Sequence, residues 1–296
     1  MKILVSGARG LVGSALSSQL TDAGHALSAL TRRSTGDGDI VWDPASGKIP
    51  ADSLEGFDIV VHLAGDNIAE GRWNEAKKNR IRDSRVDGTR LLCETLANLE
   101  QKPSTLICAS AIGYYGDRGD EKLVEETSLG SNFLAEVCEA WEAATEPARE
   151  AGIRVVNLRF GMILSPTGGA LKNMLTPFRL GAGGRIGDGK QYWSWITLQD
   201  AVRSIDHAIQ HEELSGPVNS VSPDPVTNEE FTKVLGRVLK RPTIFPMPAF
   251  AAKLVFGEMA DELILGSSRV YPQRLQATGF KFTSGDLETG LRSLLI

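Results

Sequence analysis

The chain has 296 residues, 42% of them hydrophobic and 23% charged, with a formal net charge of −5. That length and balance suit one large α/β domain with an added lobe and exclude a disordered chain. The acidic excess gives no general attraction to phosphate backbones or anionic lipid, so neither nucleic acid nor a membrane is an expected partner.

In chain order, "KILVSG" reads as a strand and "LVGSALSSQLTDAG" as the helix after it. "ALSALTR", "DIVVHLAG", "STLICAS" and "IRVVNLRFG" repeat the strand pattern, short runs of Val, Ile and Leu that end in turn residues. Helical spacing fills two of the gaps, in "NEAKKNRIRDSRVDGTRLLCETLANL" and "FLAEVCEAWEAATEPAREAG", and Gly24 and Gly152 stand where C-terminal caps belong. Strand and helix in alternation predict an α/β fold, a Rossmann-type doubly wound parallel sheet with a smaller C-terminal substrate lobe. The dinucleotide-binding domain is expected over residues 1–165, with 195–222 returning to it. The lobe is expected over 166–194 and 223–296.

After residue 165 the texture turns rich in glycine and aromatics, "SPTGGALKNMLTPFRLGAGGRIGDGKQYWSWI", and reads as loops and a hairpin. Tyr192, Trp193 and Trp195, with Lys172 and Arg185 near in sequence, either stack on a ligand ring or roof the core of the lobe. Thr197 with Asp200, and Thr227 with Glu230, are N-terminal caps for two further helices. No run of about 18 apolar residues is present to span a bilayer. The chain enters its first strand without the basic and apolar blocks of a secretory signal, so a cytoplasmic location is expected.

Cys93, Cys108 and Cys138 are odd in number and lack a CxxC pair, which speaks against disulfides and structural zinc and for buried small hydrophobes. His207 and His211 have helical i, i+4 spacing but no adjacent acid, so no metal site is expected.

The turn "SGARGLVG" carries Gly7, Gly10 and Gly13 between a strand and a helix. A helix that starts there leaves backbone N–H groups without partners and adds positive potential, which suits a diphosphate. Gly7 permits the tight turn, Gly10 the approach of the ligand and Gly13 close packing of the helix. At the end of the second strand, where an acid would bind the ribose of NAD, stand Arg32 and Arg33. Guanidinium groups favour the 2′-phosphate, which selects NADP(H).

"SGARGLVGSAL", "FDIVVHLAG", "ICASAIGYYG", "LRFGMIL" and "WSWITLQDAV" resemble successive motifs of the extended short-chain dehydrogenase/reductases, the NAD-dependent epimerase/dehydratase superfamily. "LAGDNIAEGRWNEAKKNRIRDSRVDGTRLL" and the tail "FGEMADELILGSSRVYPQRLQATGFKFTSGDLETGL" resemble its atypical "epimerase family protein" branch. The resemblance implies that Gly7, Arg9, Gly10, Leu11, Val12 and Gly13 surround the diphosphate and that Arg32 and Arg33 face the adenosine phosphate. Leu63, Ala64 and Gly65 would border the ribose, Phe160, Gly161, Met162 and Ile163 the nicotinamide, and Trp42 and Asp43 the adenine. It leaves open a homodimer through the two helices that follow "HLAG" and "ICAS".

Family members that reduce or epimerise use a Ser or Thr with a YxxxK pair, the lysine lowering the tyrosine's pKa. Here the tyrosine position holds Phe133 and the lysine position Val137, neither of which moves a proton. Ser110 survives, unless a one-residue shift puts Ala111 at its place. Tyr114 and Tyr115 are the substitute phenols, as acids or as packing. Glu136 and Glu142 read as surface or lobe-packing charges, and Arg72 with Trp73 as either a ligand contact or a helix start. The expected function is an NADP(H)-dependent oxidoreductase on a small carbonyl or nucleotide-linked substrate with a non-standard proton donor. Two alternatives stand beside it: a non-catalytic NADPH-binding regulator, for example in cell division as some relatives are labelled, and a nucleotide-sugar epimerase.

Overall fold

The computed structural model describes residues 1–34, 36 and 38–296. The first half runs β1 (Lys2–Ser6), α1 (Leu11–Asp22), β2 (Ala26–Thr31), β3 (Ile40–Val41), β4 (Ile59–His62), α2 (Glu75–Ala97), β5 (Thr105–Ala111), β6 (Lys122–Leu123), α3 (Phe133–Ala143) and α4 (Glu146–Glu150). The second runs β7 (Arg154–Phe160), β8 (Met162–Leu164), α5 (Gly169–Arg179), β9 (Tyr192–Trp193), β10 (Trp195–Thr197), α6 (Leu198–Gln210), β11 (Gly216–Ser220), β12 (Val226–Thr227), α7 (Asn228–Leu239), α8 (Ala249–Phe256), β13 (Arg269–Val270), α9 (Gln273–Ala277) and α10 (Leu287–Leu295).

Seven strands form one sheet in the order β11-β7-β5-β4-β1-β2-β3, every neighbouring pair parallel. Parallel strands need crossovers, and helices on both faces supply them. Ile3, Val5, Val61, Ile107 and Val156 face one layer with Leu16, Leu20 and Ile205. Leu4, Val60, Leu106 and Val155 face the other with Leu92, Leu96 and Trp141. The sheet is thus the doubly wound Rossmann type. The chain leaves β1 toward β2 on one side and comes back to β4 on the other, so a crevice opens where β1 and β4 end.

The later chain departs from the expected boundaries. Within the segment read as loops, α5 buries Leu171, Leu175 and Phe178 in the lobe core. Pro177 inside this short helix and the glycines around it hid its periodicity. β11 joins the sheet beside β7, while β10 pairs with β8 outside it. The tail, expected wholly in the lobe, first packs on the Rossmann sheet: Leu275 and Phe280 sit in the same cluster as Ile3 and Val218. Asp200, buried at the start of α6, accepts hydrogen bonds from the Thr283 and Ser284 N–H groups and pairs with Arg203, which pins that crossing. α10 then returns to the lobe core, where Leu287 and Leu291 join the cluster of Trp195 and Leu235. The expected helix after β5 is interrupted, with Pro147 opening α4.

A buried polar chain ties the layers behind the crevice. The His62 ring bridges Ser6 Oγ at 2.6 Å and Thr89 Oγ1 at 3.0 Å, and Trp141 Nε1 donates to Thr89 Oγ1 at 2.9 Å. Ser6 Oγ also accepts the N–H groups of Leu63 and Ala64, which sets the exit from β4. Burial holds the imidazole neutral and lowers its pKa from 6.5 to about 4. Below the ordinary value the unfolded chain takes up a proton that the folded chain refuses, so stability falls with pH until the folded pKa is reached. The predicted contribution is a loss of about 3 kcal/mol as pH falls from about 6.5 to about 4. Urea midpoints across that range should drop more steeply for the wild type than for His62→Gln; parallel slopes would refute the assignment.

Candidate functional site

The turn from β1 into α1 is shaped by what it cannot hold. Gly7 has φ +70°, and a Cβ there would lie 2.8 Å from the Leu63 carbonyl carbon and oxygen. A Cβ on Gly13 would lie 2.1 Å from the Gly7 carbonyl oxygen, so α1 rests directly on the turn. Before Gly10 the space is open apart from that same oxygen at 3.3 Å. Asn74, Asn132, Thr197, Thr227 and Asp286 cap the starts of α2, α3, α6, α7 and α10 with their side chains. α1 has no side-chain cap. Among the described residues the N–H groups of Leu11, Val12 and Gly13 meet no acceptor, and they open into the crevice as a cradle for an anion. Gly168, the start of α5, packs on this turn, since a Cβ there would lie 3.0 Å from Leu11 Cδ1.

Beside the cradle, Arg9 donates to Thr31 Oγ1 and to the Arg33 carbonyl, both at 3.0 Å, and pairs with Asp39. It braces the chain leaving β2. Arg32 and Arg33 are exposed, and among the described residues neither guanidinium has a protein acceptor.

At the end of β4, Leu63 and Ala64 are half-buried and Gly65 is exposed. Gly65 stands over Arg85, whose Cζ would be 3.4 Å from an added Cβ, while Arg85 itself donates to the Asp66 and Ile81 carbonyls. Lys77, buried in the first turn of α2, holds Asp66 and the Asn67 carbonyl. Trp42 belongs to the core, edge-on to the His62 ring. Arg72 and Trp73 pack the start of α2: Trp73 is buried and donates to the Ile68 carbonyl, and Arg72 donates to the Leu254 carbonyl.

Where β5 and β7 end, the structure gathers several of the singled-out side chains around one ion pair. Glu142 is not a surface charge. Both its carboxylate oxygens take the Arg159 guanidinium, Nε at 2.7 Å and Nη2 at 2.8 Å, and Oε1 also accepts from Ser110 Oγ at 2.7 Å. Ser110 is therefore a buried anchor between β5 and α3 rather than an open hydroxyl, because Ser110 and Arg159 are register partners facing the same helix. Tyr115 is fully buried, its hydroxyl donating to Asn219 Oδ1 at 2.8 Å and accepting from Arg159 Nη1 at 3.0 Å. Burial raises its pKa to about 12, the neighbouring Arg159 opposing that shift. Tyr114 is the phenol left partly open, its ring centroid 3.4 Å from Arg159 Cζ. Phe133 lies edge-on to Trp73 and under Lys78 Nζ, and Val137 is buried.

From β7 the chain passes Phe160 and Gly161 and enters β8, which pairs with β10. A Cβ on Gly161 would meet the Ser194 carbonyl oxygen at 2.6 Å, and Met162 N–H donates to that oxygen. Phe160, Gly161, Met162 and Ile163 thus carry the sheet's edge into the lobe. There Trp193 and Trp195 are core and Tyr192 is half-buried, so the tryptophans roof the lobe. His207 and His211 stack on one another, with His207 Nε2 at 2.8 Å from Thr278 Oγ1. Sequence reading missed Arg85, Arg159 and the α5 start; only the register of β5 and β7 shows that Arg159 and Ser110 face one helix.

Residues 3–221 match the NAD dependent epimerase/dehydratase family, and residues 247–294 match a domain of unknown function, DUF1731. An epimerase family protein of Mycobacterium bovis is 44% identical over 95% of this chain and 93% of its own. The crystal structure of human epimerase family protein SDR39U1 with NADPH superposes with a TM-score of 0.92 at 33% identity, covering 99% of each chain. A nucleoside-diphosphate sugar epimerase from Corynebacterium glutamicum gives a TM-score of 0.83 at 39% identity, with this chain wholly covered and spanning 58% of that longer one. With residues 3–221 matched by the family and a 44% identical relative covering 95% of its length, the chain belongs to the NAD dependent epimerase/dehydratase family.

Proposed function

We propose that this protein is an NADP(H)-dependent oxidoreductase on a small carbonyl or nucleotide-linked substrate, with the cofactor across the ends of β1 and β4. The observation that carries it is the uncapped start of α1 beside two exposed arginines without acceptors among the described residues. The cradle fits a diphosphate, since a Cβ at Gly7 or Gly13 would fill it or break it. Arg32 and Arg33 fit a 2′-phosphate, with Arg9 holding their loop. The human relative, crystallised with NADPH, supports the same reading.

Bound NADPH supplies a hydride, and the protein supplies position, exclusion of water and a proton. Phe133 and Trp73 close the floor where a catalytic tyrosine would stand. In this reading Tyr114 is the phenol that holds and delivers the proton, its ring resting against the Arg159 guanidinium. Ser110 and Tyr115 position it through Glu142 and Arg159. Epimerisation would need an acid that works in both directions, and the Phe133 and Val137 positions provide none. The same positions favour a second reading, a regulator that holds NADPH without turnover.

Fluorescence titration with NADPH and NADH tests the cofactor. The double variant Arg32→Ala, Arg33→Ala should bind NADPH about tenfold to a hundredfold more weakly and NADH unchanged, given about 1.5–3 kcal/mol for charged hydrogen bonds. Equal weakening of both, or of neither, refutes the phosphate role.

A screen of carbonyls and enones with NADPH separates oxidoreductase from regulator. With a substrate that turns over, Tyr114→Phe should lower kcat by about a hundredfold or more. Tyr115→Phe should mainly cost about 1–3 kcal/mol of stability, since it strips a partner from buried Arg159 and Asn219. No turnover on any class, with NADPH bound, favours the regulator.

A further inference from the structure

Buried and half-buried guanidinium groups in this fold are answered by acceptors. Arg159 meets Glu142, Arg154 meets carbonyls at the end of α6, and Arg274 meets Glu126 and the Ser215 carbonyl. Arg269 is different: its Nε is buried with no acceptor, and among the described residues its terminal nitrogens have no protein partner either. What holds it is aromatic. Its Cζ lies 4.7 Å from the centroid of the Tyr192 ring and 5.9 Å from that of Tyr271. A cation–π contact fixes where the guanidinium sits but accepts none of its five hydrogens.

The place matters as much as the vacancy in its hydrogen bonding. Arg269 opens β13, which pairs with β6 and is clamped by Ser194: Ser194 Oγ accepts the Val270 N–H and donates to the Ser268 carbonyl. The Ser194 carbonyl in turn accepts from Met162, in the stretch that leaves β7. Ser268 Oγ donates to the Gly116 carbonyl, directly after Tyr114 and Tyr115. Arg269 therefore stands on the strand that Ser194 and Ser268 tie both to the Phe160–Ile163 stretch and to the turn after β5.

We propose that Arg269 is the anchor for an oxyanion of the substrate, a phosphate or a carboxylate, received beside Tyr192 and Tyr271; this rests on the oxidoreductase reading. The planar fork of a guanidinium matches both anions in two parallel hydrogen bonds. Such a residue leaves the substrate-free protein with an unmet cation that the ligand completes.

Calorimetric titration of the NADPH-saturated full chain with pyrophosphate and with succinate tests this, using wild type, Arg269→Gln and Arg269→Lys. At least one probe should bind the wild type, weaken about tenfold or more in Arg269→Gln, and recover in part in Arg269→Lys. Binding of pyrophosphate alone assigns a phosphate, and of succinate alone a carboxylate. The thermal midpoint of Arg269→Gln should be unchanged or raised, because no acceptor is lost. Failure of both probes to bind the wild type, binding that survives in Arg269→Gln, or a lowered midpoint that lysine restores without any probe binding would each overturn the proposal. NADPH affinity measured on the same three proteins keeps the two readings apart. If all three bind NADPH alike and no probe binds, the anchor fails and the cofactor reading stands. If none binds NADPH while a probe depends on Arg269, the reverse holds.

Discussion

The contact between the start of α1 and the Gly7 carbonyl sets the rest of the molecule. With a would-be Cβ of Gly13 at 2.1 Å from that oxygen, the helix cannot begin anywhere but on the turn itself. Its first N–H groups are thereby aimed past the end of β1, and its buried face, Leu16 and Leu20, is laid on the sheet beside Ile3 and Val5. The same closeness carries to the neighbouring strand, because Gly7 also abuts the Leu63 carbonyl where β4 ends. Packing and binding are the same constraint here: any side chain that loosened the turn would move both the cradle and the core.

A second constraint sits where the tyrosine and lysine positions hold Phe133 and Val137. Where relatives in the wider family are expected to carry a tyrosine and a lysine on the helix after β5, this chain spends the region on a buried ion pair. Arg159 and Glu142 bond through two parallel hydrogen bonds, with Ser110, Tyr115 and the Tyr114 ring around them. Breaking such a pair by removing one partner costs about 3–5 kcal/mol, because the other charge is left buried. The hydroxyls nearest the expected reaction site are therefore held still, and only Tyr114 keeps some exposure.

The fold was legible because its signals are local and repeated. The central parallel strands β1, β4, β5 and β7 are largely buried and so read as mostly apolar runs, and each glycine turn or Thr cap marks a boundary within a few residues. Gly24 and Gly152, for example, do take the left-handed conformation, with φ +82° and +83°. The site was legible only where backbone makes it, at Gly7 to Gly13 and Gly161. Side-chain partnerships across the sheet were not. Glu142 lies 17 residues from Arg159 and 32 from Ser110, and nothing in helical spacing says that an exposed-looking glutamate turns inward to meet them. The tail was misjudged for a related reason: Leu275 and Phe280 find their core in the first strands of the chain, a contact without any local trace.

The lobe is coupled to the crevice through that same helix. Glu262 accepts the Leu134 N–H at the start of α3, next to Phe133, and Lys78 at the start of α2 pairs with Glu258. Arg72 reaches the Leu254 carbonyl, and Met259 packs with Trp73 and Phe133. Burial raises the pKa of Glu262 even as the Leu134 and Phe133 N–H groups pull it down. The segment from α8 to β13 thus runs from contacts at the α2 and α3 starts to Arg269, beside Tyr192. A movement of this strap would shift the packing behind Phe133 and the placement of Arg269 together, because one continuous piece of chain carries both contacts.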